Sequence, residues 1–220
     1  MLTTVDAVLR GTGPFASGRG RVPWRSLALV LAASGFLYGL SMGSFSLNPL
    51  QALYSGLKVP LLLVVTTLVC LPSYFVANSV LGLRDDFAAA FRGVLTAQAS
   101  VAICLAALGP AVLFAYASND SYRFAQFING VYFAIAAVAG QRALDRHYRP
   151  LVARRPQHHV ARFMWLAMYV FVAIQLAWVL RPFVGRPGLE THFLRENAWS
   201  NAYVFIVRKV LGFPLFGVEY

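Results

Sequence analysis

The chain has 220 residues, 59% of them hydrophobic and only 12% charged, with a mean hydropathy of +0.63. A composition this apolar excludes an ordinary soluble domain and makes the bilayer the solvent. The formal net charge of +11 does not point to nucleic acid, because the arginines stand in short runs beside apolar stretches and not on a separate basic domain; anionic lipid headgroups are the expected counter-charge.

Five apolar stretches follow in chain order: Leu27–Phe45, Val59–Leu83, Val94–Ala117, Phe124–Ala139 and Phe163–Leu180. None contains Asp, Glu, Lys, Arg or His, so each is predicted to be a transmembrane helix. The expected fold is all-α, a polytopic helical bundle of five spans forming one domain, since the short loops leave no room for a separate globular unit. A basic segment, residues 1–26, precedes the bundle at 27–180, and residues 181–220 follow it. Arg10, Arg19, Arg21 and Arg25, with no short apolar core among them, argue against a cleavable signal peptide.

Gly35, Gly39 and Gly43 recur every fourth residue in the first span and clear one helix face for close backbone approach. This stripe is a helix-packing seam, open to another span of the same chain, a second copy or a partner. In the second span Pro60 and Pro72 remove backbone donors, and Thr66 and Thr67 stand ready to bond carbonyls freed by a bend near Cys70–Ser73. Arg84-Asp85-Asp86 reads as an interfacial turn into the third span, with the acids favoured by a helix start, and Pro110 predicts a bend within that span. The fourth stretch is short for a hydrocarbon core of about 30 Å. Gly140–Leu144 is expected to extend it while Arg142 snorkels to the headgroups. After the fifth span, two prolines and two glycines in Arg181–Gly188 stop the helix. Asn197–Leu211 then carries Ala198, Ala202, Phe205, Ile206 and Val210 at helical spacing with Arg208 and Lys209 on another side, the pattern of an interfacial helix.

Segments Met1–Ser26, Gly82–Gly93 and Gly140–Arg162 hold twelve of the 19 basic residues. Positive residues stay inside, so the N-terminus is expected in the cytoplasm and the C-terminus outside, with Ser46–Lys58 as an outer loop. Arg142, Arg146, Arg149, Arg154 and Arg155, with Arg181 at the other surface, are the expected contacts for anionic lipid. Strong arginine asymmetry suits a bacterial inner membrane.

Uncharged polar groups in the apolar spans are few; Ser73, Asn78, Gln98, Ser100, Gln126, Asn129 and Gln175, with Thr66 and Thr67, are mostly expected to face the bundle interior or lie at headgroup depth, as glue between helices or as a solute path. Cys70 and Cys104 pack as small hydrophobes. His147, His158 and His159 read as surface residues of the basic inner loop. None of the four histidines has a Cys or carboxylate at ligand spacing, so no metal and no cofactor is expected. Phosphate-binding, hydrolase and zinc-protease motifs are absent. Arg181, Arg186, Glu190, His192, Arg195 and Glu196, framed by Trp178, Trp199 and Tyr203, read as an aromatic and arginine belt.

The run Ala52-Leu-Tyr-Ser-Gly-Leu-Lys-Val-Pro-Leu-Leu-Leu-Val-Val-Thr-Thr-Leu-Val-Cys-Leu-Pro-Ser-Tyr74 through Gly82, the glycine-rich first span, the five spans and the N-in, C-out layout resemble the Yip1-like integral membrane proteins. Members usually carry an acidic, aromatic Asp-Leu-Tyr-Gly-Pro type motif before the spans, whereas Gly18-Arg-Gly-Arg-Val-Pro-Trp-Arg25 stands here. The resemblance implies a non-catalytic protein that binds other membrane components. Three readings result: a scaffold or accessory subunit acting through helix packing, a carrier or channel for a lipid or small solute, and a membrane enzyme using the outer Arg/Glu/His cluster.

Overall fold

A computed structural model describes residues 2–12, 23–188, 190–194 and 203. The described residues form helices without a strand: α1 (Leu2–Arg10), α2 (Trp24–Gly43), α3 (Pro49–Val80), α4 (Phe87–Ser118), α5 (Tyr122–Arg154) and α6 (His158–Val179). Helices α2 to α6 are each long and apolar enough to cross a membrane. Short 3-10 turns, Ser44–Ser46 and Arg84–Asp86, join α2 to α3 and α3 to α4. Local chemistry sets the helix starts. The Asn48 side chain accepts from Leu50 N at 3.0 Å ahead of Pro49, and Ser121 Oγ accepts from Phe124 N at 3.4 Å.

Helix α2 packs against both α3 and α4, α4 packs against α5, and α3 carries α6 on its other side. The glycine stripe sets the first of these contacts. A Cβ at Gly39 would lie 2.6 Å from Gly56 Cα, one at Gly43 would lie 2.7 Å from Ala52 Cα, and one at Gly35 would lie 3.3 Å from Pro60. The seam is therefore filled by α3 of the same chain and is closed to a partner, because backbone already occupies the space that the missing side chains leave. Gly140 makes a similar approach to Ala97 and Val101 between α5 and α4.

Helices α3, α4 and α5, of 32, 32 and 33 residues, rise about 50 Å each at 1.5 Å per residue. That exceeds a hydrocarbon core of about 30 Å. The surplus of α4 and α5 gathers at the end of the bundle bearing the α5–α6 turn, called here the basic end. There Tyr74, Phe87, Leu144, Tyr148, Leu151 and Trp165 form an aromatic core between the end of α3, the start of α4, the end of α5 and the start of α6. The hydroxyls of Tyr74 and Tyr148 are hydrogen bonded, and the Tyr74 and Trp165 rings meet edge to face at 4.9 Å.

This extension corrects three expectations. Gly140–Arg162 is not a basic loop: α5 continues through Arg154 and the connection shrinks to residues 155–157. Helix α5 thus runs well past Leu144, since its arginines project from the bundle and its apolar face finds partners on α3, α4 and α6. His147 and His158 are not surface residues. His147 is buried beside Gly93, and His158 is fully buried with Nε2 3.2 Å from Asp86 Oδ2 and its ring against Tyr148.

Helix α3 continues through both Pro60 and Pro72. Thr67 Oγ1 donates to Leu63 O at 2.8 Å, reaching one turn back along the helix, and so does not serve the carbonyl that Pro72 frees at Leu68. The amphipathic α1, unanticipated within the basic N-terminal segment, buries Val8 against Leu27, Val30, Ala99 and Ile103. It ends at Gly11 with φ +64°, a left-handed cap that glycine adopts without strain. The expected interfacial helix Asn197–Leu211 lies outside the described residues except for Tyr203, whose ring stacks on Phe171 with centroids 4.4 Å apart.

Candidate functional site

At the end opposite the basic one, residues 181–188 and 190–194 leave α6 and fold back along α3 as a strap. Three α3 residues spaced to share one helix face, Gln51, Ser55 and Lys58, receive it. Lys58 Nζ donates to Pro182 O at 2.6 Å, Gln51 Nε2 donates to Phe183 O at 3.1 Å, and the Ser55 hydroxyl also donates to Phe183 O. Asn48 Nδ2 donates to Thr191 Oγ1 at 2.9 Å. Glycine at 185 lets the strap sit close, since a Cβ there would stand 2.5 Å from Gln51 Cγ and 2.6 Å from Ser46 Oγ and push those side chains aside.

Lys58 was expected in an outer loop. Instead it lies in α3, 0% exposed, with the Phe193 ring 5.1 Å from its ammonium. Among the described residues no carboxylate forms an ion pair with it. The helix absorbs this charge because a strap carbonyl and aromatic faces substitute for water. The sequence signal was present in Asn48-Pro49, a helix start ten residues before the charge, but the apolar-run criterion that ended the loop at Lys58 hid it.

The strap covers a cavity of about 520 Å³ lined by α2, α3, α5 and α6 through residues including Leu62, Phe133 and Ala177, with Phe183 and Val184 of the strap as its lid. On α5, Tyr122, Gln126, Asn129 and Phe133 line it along one helix face, so the α5 side of the wall changes from polar near the strap to apolar deeper in the bundle. Arg181 also lines it, its guanidinium carbon 3.3 Å from the Trp178 ring centroid. A second, more polar cavity of about 380 Å³, lined in part by Asn48, Gln51, Arg186 and Glu190, adjoins it and shares Tyr122 and Pro182. Arg186 lies over the Tyr122 ring at 5.4 Å.

Asn129 is both cavity wall and structural joint. Its Oδ1 accepts from Tyr38 OH at 2.8 Å, while its Nδ2 donates to Tyr116 OH at 2.6 Å and to Ala125 O at 2.7 Å; Tyr116 OH in turn donates to Met42 O at 3.1 Å. The network ties α2, α4 and α5 together with every Asn129 donor and acceptor engaged.

The other residues expected to matter do not converge on this cavity. Asn78 Nδ2 donates to Tyr74 O at 2.8 Å near the basic end, and Gln98 accepts from Tyr169 OH at 2.9 Å between α4 and α6. Thr66 is fully buried and Gln175 is half-buried on α6. Arg142, Arg146, Arg149, Arg154 and Arg155 are exposed along the second half of α5 and its following turn. Arg146 donates to Leu9 O at 2.9 Å and Arg155 to Gly82 O at 2.9 Å. Asp145 accepts from Arg149 at 3.1 Å and from Arg162. Of the outer belt, Arg195, Glu196 and Trp199 lie outside the described residues, and Glu190 is exposed with His192 beside it at 3.6 Å.

The described residues define an all-α fold with five membrane-length helices and an amphipathic cavity, open at the bundle surface, beneath a strap. Neither family models, nor curated proteins, nor solved structures include a match to this chain.

Proposed function

We propose that this chain is a non-enzymatic integral membrane protein that binds an amphipathic molecule with an acidic head, a lipid or lipid-like solute, in the cavity beneath the strap. The observation that carries this reading is the graded wall of that cavity. Tyr122, Gln126 and Arg181 offer polar contacts near the strap, and Leu62 and Phe133 offer an apolar chain its place below. Arg186 and the buried Lys58 add positive charge around the strap end. We place the strap end outside and the arginine-rich end in the cytoplasm of a bacterial inner membrane, on the charge asymmetry alone. Membership of the Yip1-like proteins belongs to the same proposal and rests on the residues of the first two spans. The glycine stripe, packed on α3, gives the scaffold reading no seam for a partner.

Gly130 supplies the test. It lines the cavity, and a Cβ there meets nothing within 4 Å. Gly130→Trp therefore sets a bulky ring at the cavity wall without displacing backbone and should obstruct the cavity. The protein isolated in mild detergent should carry a bound amphiphile in native mass spectrometry, and Gly130→Trp should lose it while remaining helical by circular dichroism. Equal bound amphiphile in the two proteins would sink this reading; recovery in a stoichiometric complex with another membrane protein would return the accessory-subunit reading to first place.

A further inference from the structure

We infer that a second site, at the basic end, holds the phosphate of an anionic phospholipid between α1 and α5. An open notch of about 580 Å³ is lined by Leu9, Ser100, Ala139, Arg142, Asp145, Arg146 and Arg149. The three arginines are spaced i, i+4 and i+7, so they rise along one face of α5 toward the notch. The only acid among its lining residues, Asp145, is already shared by Arg149 and Arg162, leaving the notch with an excess of positive charge. Guanidinium groups bind phosphate oxygens through paired, charge-assisted hydrogen bonds, and basic pockets between helices at the cytoplasmic surface suit acidic headgroups.

The surroundings favour a lipid over a free anion. Ala139, the last residue of the apolar stretch of α5, forms the deeper wall, and Leu9 of α1 forms another. A headgroup held by Arg142 and Arg149 thus has apolar surface beside it for its acyl chain. Helix α1 is fixed over the notch by Val8 in the core and by Arg146, which donates to Leu9 O at 2.9 Å. Arg146 acts as the positioning residue that keeps α1 in place, while Arg142 and Arg149 face the ligand. This site is separate from the cavity under the strap and does not depend on the function proposed for it.

The test uses the full chain carrying Gly130→Trp, placed to obstruct the other cavity, reconstituted in nanodiscs of phosphatidylcholine with or without phosphatidylglycerol. Phosphatidylglycerol should raise the thermal unfolding midpoint, and native mass spectrometry should show it retained on the released protein. Arg142→Gln with Arg149→Gln should reduce that retention by about tenfold or more, as two charge-assisted contacts are lost. Arg142→Lys with Arg149→Lys, which keeps charge but not the planar fork, should fall between. Arg25→Gln with Arg84→Gln, exposed and outside the notch, should leave retention unchanged and guards against a mere effect of net charge. Equal retention in the Arg142/Arg149 Gln variant and its parent, or equal loss in the Arg25/Arg84 variant, overturns the site. Stabilisation by inorganic phosphate equal to that by phosphatidylglycerol overturns its assignment to lipid.

Discussion

Lys58 and the glycines of α2 show how much single side chains decide in this bundle. Lys58 links α3 to the strap through one carbonyl, and its loss leaves Pro182 O without that donor at a cost of about 1–3 kcal/mol. Lys58→Met should therefore loosen the strap without unfolding the helices. Hydrogen exchange of amides in 183–194 should quicken while those of α2 and α4 stay protected; unchanged exchange in the strap would show that the lysine does not hold it. Gly39 and Gly130 make an opposed pair. Gly39→Ala forces a Cβ to within 2.6 Å of Gly56 Cα and should destabilise the protein by about 1–3 kcal/mol. Gly130→Ala meets open space and should stabilise it by about 0.5–1 kcal/mol through helix propensity. Thermal unfolding of both variants in one detergent reads the contrast, and shifts of the same sign would contradict the packing described.

At the scale of elements, the joint through Asn129 in the strap half of the bundle is polar, and the joint at the basic end is aromatic. Asn129 joins three helices with its amide fully engaged. Asn129→Leu leaves the Tyr38 hydroxyl without its acceptor and should cost about 1–3 kcal/mol in detergent. In a cycle with Tyr38→Phe, the double variant should lose less than the sum of the single losses. Strict additivity would mean that the Tyr38–Asn129 contact contributes nothing. Sequence reading had placed Asn129 inside the bundle, and its partners came from helices 91 and 13 residues away in sequence. Nothing in the pattern of one helix specifies which tyrosines of two others reach it.

For the whole molecule, the decisive quantity is the length of α3, α4 and α5 against the thickness of the hydrocarbon core. Their surplus must stand in water or among headgroups, and the arginines of α5 place much of it at the basic end. Single cysteines at Gly82 and Arg154, in a chain with Cys70 and Cys104 replaced by alanine, should react with a water-soluble maleimide from one side of sealed vesicles. Asn119, in the α4–α5 turn, should react only from the other. Cysteines at Leu61 and Phe171, exposed on the bundle surface at 40% and 59%, should resist labelling because lipid covers them. Labelling of Gly82 and Asn119 from the same side would be incompatible with the alternating crossings, and reaction of Arg154 from the extracytoplasmic side would reverse the proposed orientation.

The sequence by itself determined that five helices cross-membrane in length follow one another, because uninterrupted apolar runs have no other stable form in lipid. It also exposed the close-packing glycines, since a four-residue repeat is a property of one helix. Where charge and helix coincide, the sequence misled: Lys58 and residues 145–154 read as loop because charges ended the apolar runs, yet backbone hydrogen bonding continued through them. Only the tertiary structure decided that α3 fills the glycine seam, that the strap lies on Gln51, Ser55 and Lys58, and that a cavity forms beneath it. Those outcomes depend on which helix faces meet, and faces meet through contacts between residues far apart in the chain.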